Sequence, residues 1–285
     1  MNLQSAVVLL TGASGGIGSA TAHALLKRGA RVLMTGRDSV KLNQLRLKFG
    51  VASDGLDAMA VDLQTEADRN RLTERAANWN GGVNVLINNA GAGELKLFDD
   101  HTPEELAALL NINLLAPLQL THALLPRFRT LSDAHILNVG SVYGAIGYPG
   151  YAVYSATKFG LRGFSEALRR ELEGTNIRVH YLAPRATRTP MNSAAVDALN
   201  LALRIAVDSP ERVALSVCRM LEQAERERVI GWPEKLFVRV NALLTPLVDR
   251  AIRKQLPLIR NYAEAATREP SALTTEPTRI ARNSA

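Results

Sequence analysis

The chain has 285 residues, 47% of them hydrophobic and 21% charged, and a formal net charge of +7. No uninterrupted apolar stretch approaches the length that spans a bilayer, and the proportions fit one large α/β domain or two small ones rather than a disordered or fibrous chain. The single cysteine, Cys218, excludes an intrachain disulfide; in a segment of helical period it reads as a buried, inert thiol in a reducing, cytoplasmic setting.

In chain order, short apolar runs alternate with longer stretches of helical period. Strands are expected over 6–10, 31–35, 58–61, 83–87, 135–139, 178–182 and 228–230, and amphipathic helices over 18–28, 40–49, 66–79, 103–125, 151–173 and 210–225. The alternation predicts an α/β, doubly wound Rossmann fold with a mainly parallel sheet of about seven strands flanked by helices. One domain over 1–232 is followed by a helical extension over 233–262 and a tail over 263–285, poor in large apolar residues and expected to be disordered. In the extension, Thr245 before Pro246 reads as an N-cap opening a second helix, which Pro257 interrupts or ends.

Much of the positive charge is local. Lys235, Arg239, Arg250, Arg253, Lys254 and Arg260 stand against Asp249 in the extension, beside a stripe of Leu236, Val240, Leu243, Leu247, Ala251 and Ile252. An apolar stripe with a basic flank suits peripheral contact with an anionic membrane surface; an amphipathic hairpin packed over a cleft or on a partner subunit is the plainer alternative. Nucleic acid is not expected as a partner, because no aromatic residues interleave the basic ones as a base-stacking patch would need. The five histidines are scattered without ligand spacing, so no metal is expected.

Three features carry chemistry. The first strand runs into Thr11-Gly12-Ala13-Ser14-Gly15-Gly16-Ile17-Gly18 and then a helix. Glycines there permit a tight turn and let backbone N–H groups approach a pyrophosphate at the helix N-terminus. The second strand ends in Thr35-Gly36-Arg37-Asp38. Gly36 leaves room and Arg37 offers a cationic fork suited to a 2′-phosphate, which favours NADP(H) over NAD(H). Asp38 either speaks for a ribose hydroxyl or caps the next helix. Tyr154 and Lys158, four residues apart, share one face of a helix, where the ammonium is expected to lower the phenol pKa and make Tyr154 a proton donor and acceptor.

Taken together, these motifs resemble the short-chain dehydrogenase/reductase family in its compact single-domain branch. The resemblance rests on Thr11 to Gly18, Asp62 in Val61-Asp62-Leu63, Asn88-Asn89-Ala90-Gly91, Asn113, Ser141, and Tyr154 with Lys158, and runs from about Ala6 to Met191. It implies an NADP-dependent oxidoreductase that interconverts a carbonyl and an alcohol, with Asn113, Ser141, Tyr154 and Lys158 as catalytic residues. Cofactor contacts are implied for Gly12, Ser14, Gly15, Gly16, Ile17, Gly18, Arg37, Asp62, Leu63, Asn89, Ala90, Gly91, Pro184, Thr187 and Thr189, and for Tyr154 and Lys158. Asp62 would bind the adenine, Lys158 the nicotinamide ribose, Ser141 the substrate oxygen, and Asn113 a water in a proton relay. A homodimer through the fourth and fifth helices is also implied.

One departure stands out. After the sixth strand the family usually has Pro-Gly, whereas this chain reads Pro184-Arg185. Arg185 or Arg188 either meets an acidic substrate group or is a solvated loop arginine. Segment 192–208 would cover a small-molecule carbonyl or alcohol substrate, and the apolar extension hints at a lipophilic or 3-oxoacyl compound. The rival reading from another class is a catalytically silent NADP(H)-binding regulator or scaffold on the same fold.

Overall fold

A computed structural model describes residues 1–50 and 55–267. In chain order the elements are β1 (Val7–Leu10), α1 (Gly16–Leu26), β2 (Arg31–Gly36), α2 (Ser39–Phe49), β3 (Leu56–Ala60), α3 (Glu66–Asn78), β4 (Val85–Asn88), α4 (Pro103–Leu110) and α5 (Ala116–Phe128). They continue as β5 (Ala134–Val139), α6 (Ala152–Glu171), β6 (Ile177–Ala183), α7 (Ala194–Ala202), α8 (Pro210–Gln223), β7 (Glu227–Val229), α9 (Glu234–Leu243), α10 (Thr245–Arg253) and α11 (Leu256–Thr267). The strands form one seven-stranded sheet in the order β3-β2-β1-β4-β5-β6-β7, with every pair parallel.

Two cores lie on the two faces. Along β1, Val8 and Leu10 point to the face covered by α1 and α8, where Leu25, Val217 and Leu221 are fully buried. Val7 and Leu9 point to the other face, against Leu72 of α3 and Leu120 and Leu124 of α5. Strands covered on both faces read as continuous apolar runs, which is why β1, β4 and β5 stand out in the sequence. Chain order reverses between β1 and β4, so the crevice beyond their carboxyl ends is the place for a ligand in such a sheet. Cys218 is buried on α8, and burial pushes its thiol up to about 11, as an inert core cysteine requires.

Helices α4 and α5 are joined by a π-helical stretch, Asn111–Leu115, into a rod running Pro103–Phe128. The rod is long and apolar enough to cross a bilayer, but Leu109, Leu120, Leu124 and Phe128 are buried within the protein.

The extension departs from the sequence reading in four ways. It holds three helices, not two. Pro257 is the second residue of α11, where its missing N–H has no intrahelical partner to lose, so it starts a helix rather than ending one. Thr245 does not cap α10: its hydroxyl donates to the carbonyl of Asn241 at 2.7 Å instead. Nor does order stop at 262, since α11 continues to Thr267 with Ile259 and Ala263 fully buried against Leu95 and Leu199. The rest of the expected tail, 268–285, lies outside the described residues.

Candidate active site

At the carboxyl end of β1 the chain turns sharply at Gly12, whose φ of +65° suits glycine. A Cβ there would lie 2.7 Å from the Ala90 Cα, and one on Gly18 would collide with the Gly12 carbonyl oxygen. Both glycines are required by close approach of backbone to backbone. Helix α1 begins at Gly16 behind an exposed N-cap, Gly15, that makes no side-chain cap, which leaves the first N–H groups of the helix for an anion. Asn89 fixes the turn from below: its amide nitrogen donates to the carbonyls of Thr11 at 2.9 Å and Gly12 at 3.2 Å. The Thr11 hydroxyl in turn accepts from the backbone of Asn89 and Ala90.

Around this cradle lie the other expected cofactor residues. The Ser14 side chain sits over Gly36, where a Cβ would come within 2.9 Å of its hydroxyl. Arg37 is exposed at the end of β2, while Asp38 accepts from the Lys41 backbone at 3.0 Å and caps α2. That cap, with Lys41 alongside, holds its carboxyl below the usual range. Asp62 closes a turn onto the Gln64 N–H, Leu63 is buried, and the Thr189 methyl lies 3.0 Å from where a Cβ on Gly16 would stand. The Pro184 carbonyl accepts from Val142, and Thr187 forms a parallel bridge with Asp208. A turn with free helix N–H groups, close-packed glycines and an exposed arginine beside it fits a dinucleotide.

Next to the cradle, four chemically distinct side chains converge. A Cβ on Gly91 would lie 2.8 Å from Asn113 Oδ1 and 3.5 Å from Lys158 Nζ, and one on Gly93 would lie 3.2 Å from the Tyr154 ring. Asn113 is fully buried in the π-helical stretch. Its Oδ1 accepts from Ala92 N at 2.9 Å and its Nδ2 donates to Ala92 O at 2.8 Å, so both side-chain functions are committed to the loop after β4. The π-helical stretch that carries it has a wider hydrogen-bond register than the α ladder. Lys158 Nζ donates to the Val139 carbonyl at 3.1 Å and lies 5.6 Å from the Tyr154 ring centroid. The Ser141 hydroxyl accepts from Tyr143 N at 3.1 Å.

The electrostatics correct one expectation. Burial brings Lys158 down to about 8, because an ammonium is poorly solvated there. Tyr154 is raised, not lowered: burial disfavours the phenolate and outweighs hydrogen bonding with Ser141, which acts in the opposite direction. The Tyr–Lys spacing alone could not reveal this, since desolvation depends on what covers the pair.

What covers the pair was missed in the sequence. Tyr143, Tyr148 and Tyr151 gather beside Tyr154, with Tyr143 stacked on Tyr148 at 5.0 Å and edge-on to Tyr154 at 6.4 Å. The signal was present: four of the six tyrosines fall between 143 and 154. Tyr148 and Tyr151 meet an apolar roof of Leu199 from α7 and Ile259 and Ala263 from α11, and the Tyr148 hydroxyl donates to Gln255 at 2.8 Å. Tyr181 of β6 was also missed. Its ring fills the space above Gly140 and Gly144, where any Cβ would collide with it, and its hydroxyl lies 3.4 Å from the Ser141 carbonyl and 3.5 Å from that of Lys158. It props the backbone of both residues.

Arg185 is neither a solvated arginine nor free for an acidic substrate. It grips Asp208 with two nitrogens, at 3.0 and 2.8 Å, and reaches Glu234 at 3.2 Å. Those carboxylates hold its guanidinium above the ordinary range. Arg188 is exposed.

Known proteins place this geometry in context. The family model described as short chain dehydrogenase matches residues 6–200. An uncharacterised oxidoreductase of Staphylococcus saprophyticus is 31% identical over 235 residues, 75% of this chain and 95% of that protein. The ketoacyl reductase HetN of Nostoc is 31% identical over 259 residues, covering 88% and 89% of the two chains. Among solved structures, 3-ketoacyl-(acyl-carrier-protein) reductase from Brucella melitensis, complexed with NADH, superposes with a TM-score of 0.73 at 27% identity, over 81% of this chain and 99% of that one.

Proposed function

The chain belongs to the short-chain dehydrogenase family and is an oxidoreductase of carbonyl and alcohol groups, and from that premise we propose that it reduces an apolar ketone, aldehyde or 3-oxoacyl compound with NADPH. The observation that carries the reading is the convergence of Asn113, Ser141, Tyr154 and Lys158 around the loop after β4. A nicotinamide dinucleotide held through its pyrophosphate at the glycine turn would supply a hydride to the carbonyl carbon. The Ser141 hydroxyl orients the carbonyl oxygen, and Tyr154 gives its phenolic proton to that oxygen as negative charge develops. Lys158 in its ammonium form would favour the phenolate left behind and would hold the cofactor's ribose. In the direction of oxidation the Tyr154 phenolate takes the alcohol proton.

Exposed Arg37, together with the commitment of Asp38 to the α2 cap, supports NADP(H). An apolar substrate is supported by the tyrosine cluster under Leu199 and Ile259, which offers little to a charged compound. Leu110, Leu115 and Phe159, exposed on the α4–α5 rod and α6, support a homodimer through those helices. A panel of carbonyl compounds followed by NADPH and NADH consumption tests the reading. Turnover with NADPH that vanishes in Tyr154→Phe is expected, and an active Tyr154→Phe enzyme would refute the role of the phenol.

A further inference from the structure

The extension has an inner and an outer face. Inward, Val238 packs with Val142 and Ile146, and Asn241 donates to the Ala145 carbonyl at 2.9 Å, so α9 is anchored on the loop that carries Ser141. On the opposite side of α9, Leu236, Val240 and Leu243 recur at i, i+4 and i+7. Trp232, Phe237, Leu244 and Leu247 add further exposed apolar side chains to the same segment. Trp232 is 71% exposed and Leu243 83%. No other segment of comparable length among the described residues exposes as many large apolar side chains.

Cations are carried on and just after α9 and α10, with one more on α11. Lys235, Arg239, Arg250, Arg253, Lys254 and Arg260 are all exposed, and among the described residues none of them forms an ion pair. Glu234, one of the two acids in the same stretch, is held by Arg185, and Asp249 alone opposes the six. A second copy of the chain seated here about a twofold axis would bring identical cations toward one another. A surface of negative charge with an apolar layer beneath it would satisfy both parts at once: leucine, phenylalanine and tryptophan enter the acyl boundary while lysine and arginine stay among the headgroups.

We infer that the outer face of α9 and α10 is a docking surface for an anionic lipid bilayer. The extension lies in the plane of the interface, and the apolar roof of the cleft is held next to the membrane surface. This interaction goes beyond the reaction and does not depend on which carbonyl compound is the substrate.

Cosedimentation of the full chain with phosphatidylcholine vesicles, with and without phosphatidylglycerol, tests it at low and high salt. Pelleting is expected with the anionic vesicles and is lost at high salt or without phosphatidylglycerol. Each cation near an anionic surface contributes about fivefold to partition, so Arg250→Glu/Arg253→Glu/Lys254→Glu should lower binding by more than about tenfold. Leu236→Ser/Leu243→Ser/Leu247→Ser should lower it comparably while the thermal melting curve stays cooperative. Should either variant fail to fold, the salt and lipid dependence of the unaltered chain still decides. The inference is overturned by wild-type protein that stays in the supernatant with anionic vesicles at low salt, or by equal pelleting with neutral ones. It is also overturned if folded leucine variants bind vesicles normally but change oligomeric state in light scattering, which would assign this face to a second copy.

Discussion

Replacing Lys158 by methionine should abolish reduction and yet relieve the fold of a cost that the site imposes. In the protein without cofactor, burial takes Lys158 from its ordinary 10.5 to about 8. A folded pKa below the unfolded one means that the unfolded chain binds the proton more tightly, so the side chain contributes full stability only above about pH 10.5 and loses it as pH falls toward 8. At neutral pH the penalty is about 3 kcal/mol. Methionine, similar in volume and uncharged, escapes it, but leaves the Val139 carbonyl without its 3.1 Å donor, a loss of about 1–3 kcal/mol. The second effect does not depend on pH and the first does. Urea unfolding of wild type and Lys158→Met at about pH 7 and about pH 10 therefore separates them. Relative to wild type, the variant should lose about 2 kcal/mol of its advantage between the two pH values. A stability difference that is the same at both would show that Lys158 titrates as an exposed lysine and that its burial exerts no such strain.

Four further outcomes follow from named contacts. Arg37→Ala should weaken NADPH binding by about tenfold or more while leaving NADH nearly unchanged, measured by cofactor fluorescence titration. Gly18→Ala, whose Cβ would collide with the Gly12 carbonyl, should abolish cofactor binding and lower the melting temperature. Tyr181→Ala should cost about 3–5 kcal/mol of stability, because it opens a cavity beneath Ser141 and Lys158. Tyr181→Phe should keep most stability and turnover, since the lost hydroxyl contacts are long, 3.4 to 3.5 Å. Acid should unfold the protein partly through His135 and His180, a buried pair 2.8 Å apart that burial holds near 4. Because unfolded histidines protonate near 6.5, stability falls as pH drops from about 6.5 to about 4; replacing both by glutamine should flatten the urea midpoint across that window.

Much of the sheet was legible because a parallel strand buried on both faces leaves an apolar run that no other element leaves. The site residues were legible for a different reason: Gly12, Asn113, Ser141 and Tyr154 sit at the carboxyl ends of strands or on the helices after them, so sequence order maps onto position along one crevice edge. Side-chain partners across the fold were not legible. Nothing local to Asn113 announces that both ends of its amide bind Ala92, twenty-one residues away. Helix α7 escaped notice because its nine residues, Ala194–Ala202, bury only Ala195 and Leu199, too few to mark a period. The upward shift of Tyr154 comes from burial, and the roof over its neighbours Tyr148 and Tyr151 is drawn from Leu199 and Ile259, far apart in the chain.

Arg185, where the family usually has glycine, connects the loop after β6 to the first turn of the extension. A loop arginine at that point, 11% exposed along its side chain, requires carboxylates close enough to replace water, or its burial would be strongly unfavourable. Asp208 provides one from the end of the segment that carries α7, and Glu234 provides the other from the first turn of α9. Room for the arrangement comes from Gly231, whose φ is +107° and where any Cβ would meet Glu234 and the Arg185 side chain. Arg185 thus ties the strand that carries Tyr181 to the roof over the tyrosines and to the start of the extension. A glycine at 185 would leave Asp208 with Arg212 as its one cation and Glu234 with none among the described residues, so the link between the sheet and the α7 segment would fall to the backbone bridge of Thr187 with Asp208. Arg185 therefore joins the C-terminal helices to the loop after β6, beside the separate contacts that Val238 and Asn241 make with the loop after β5.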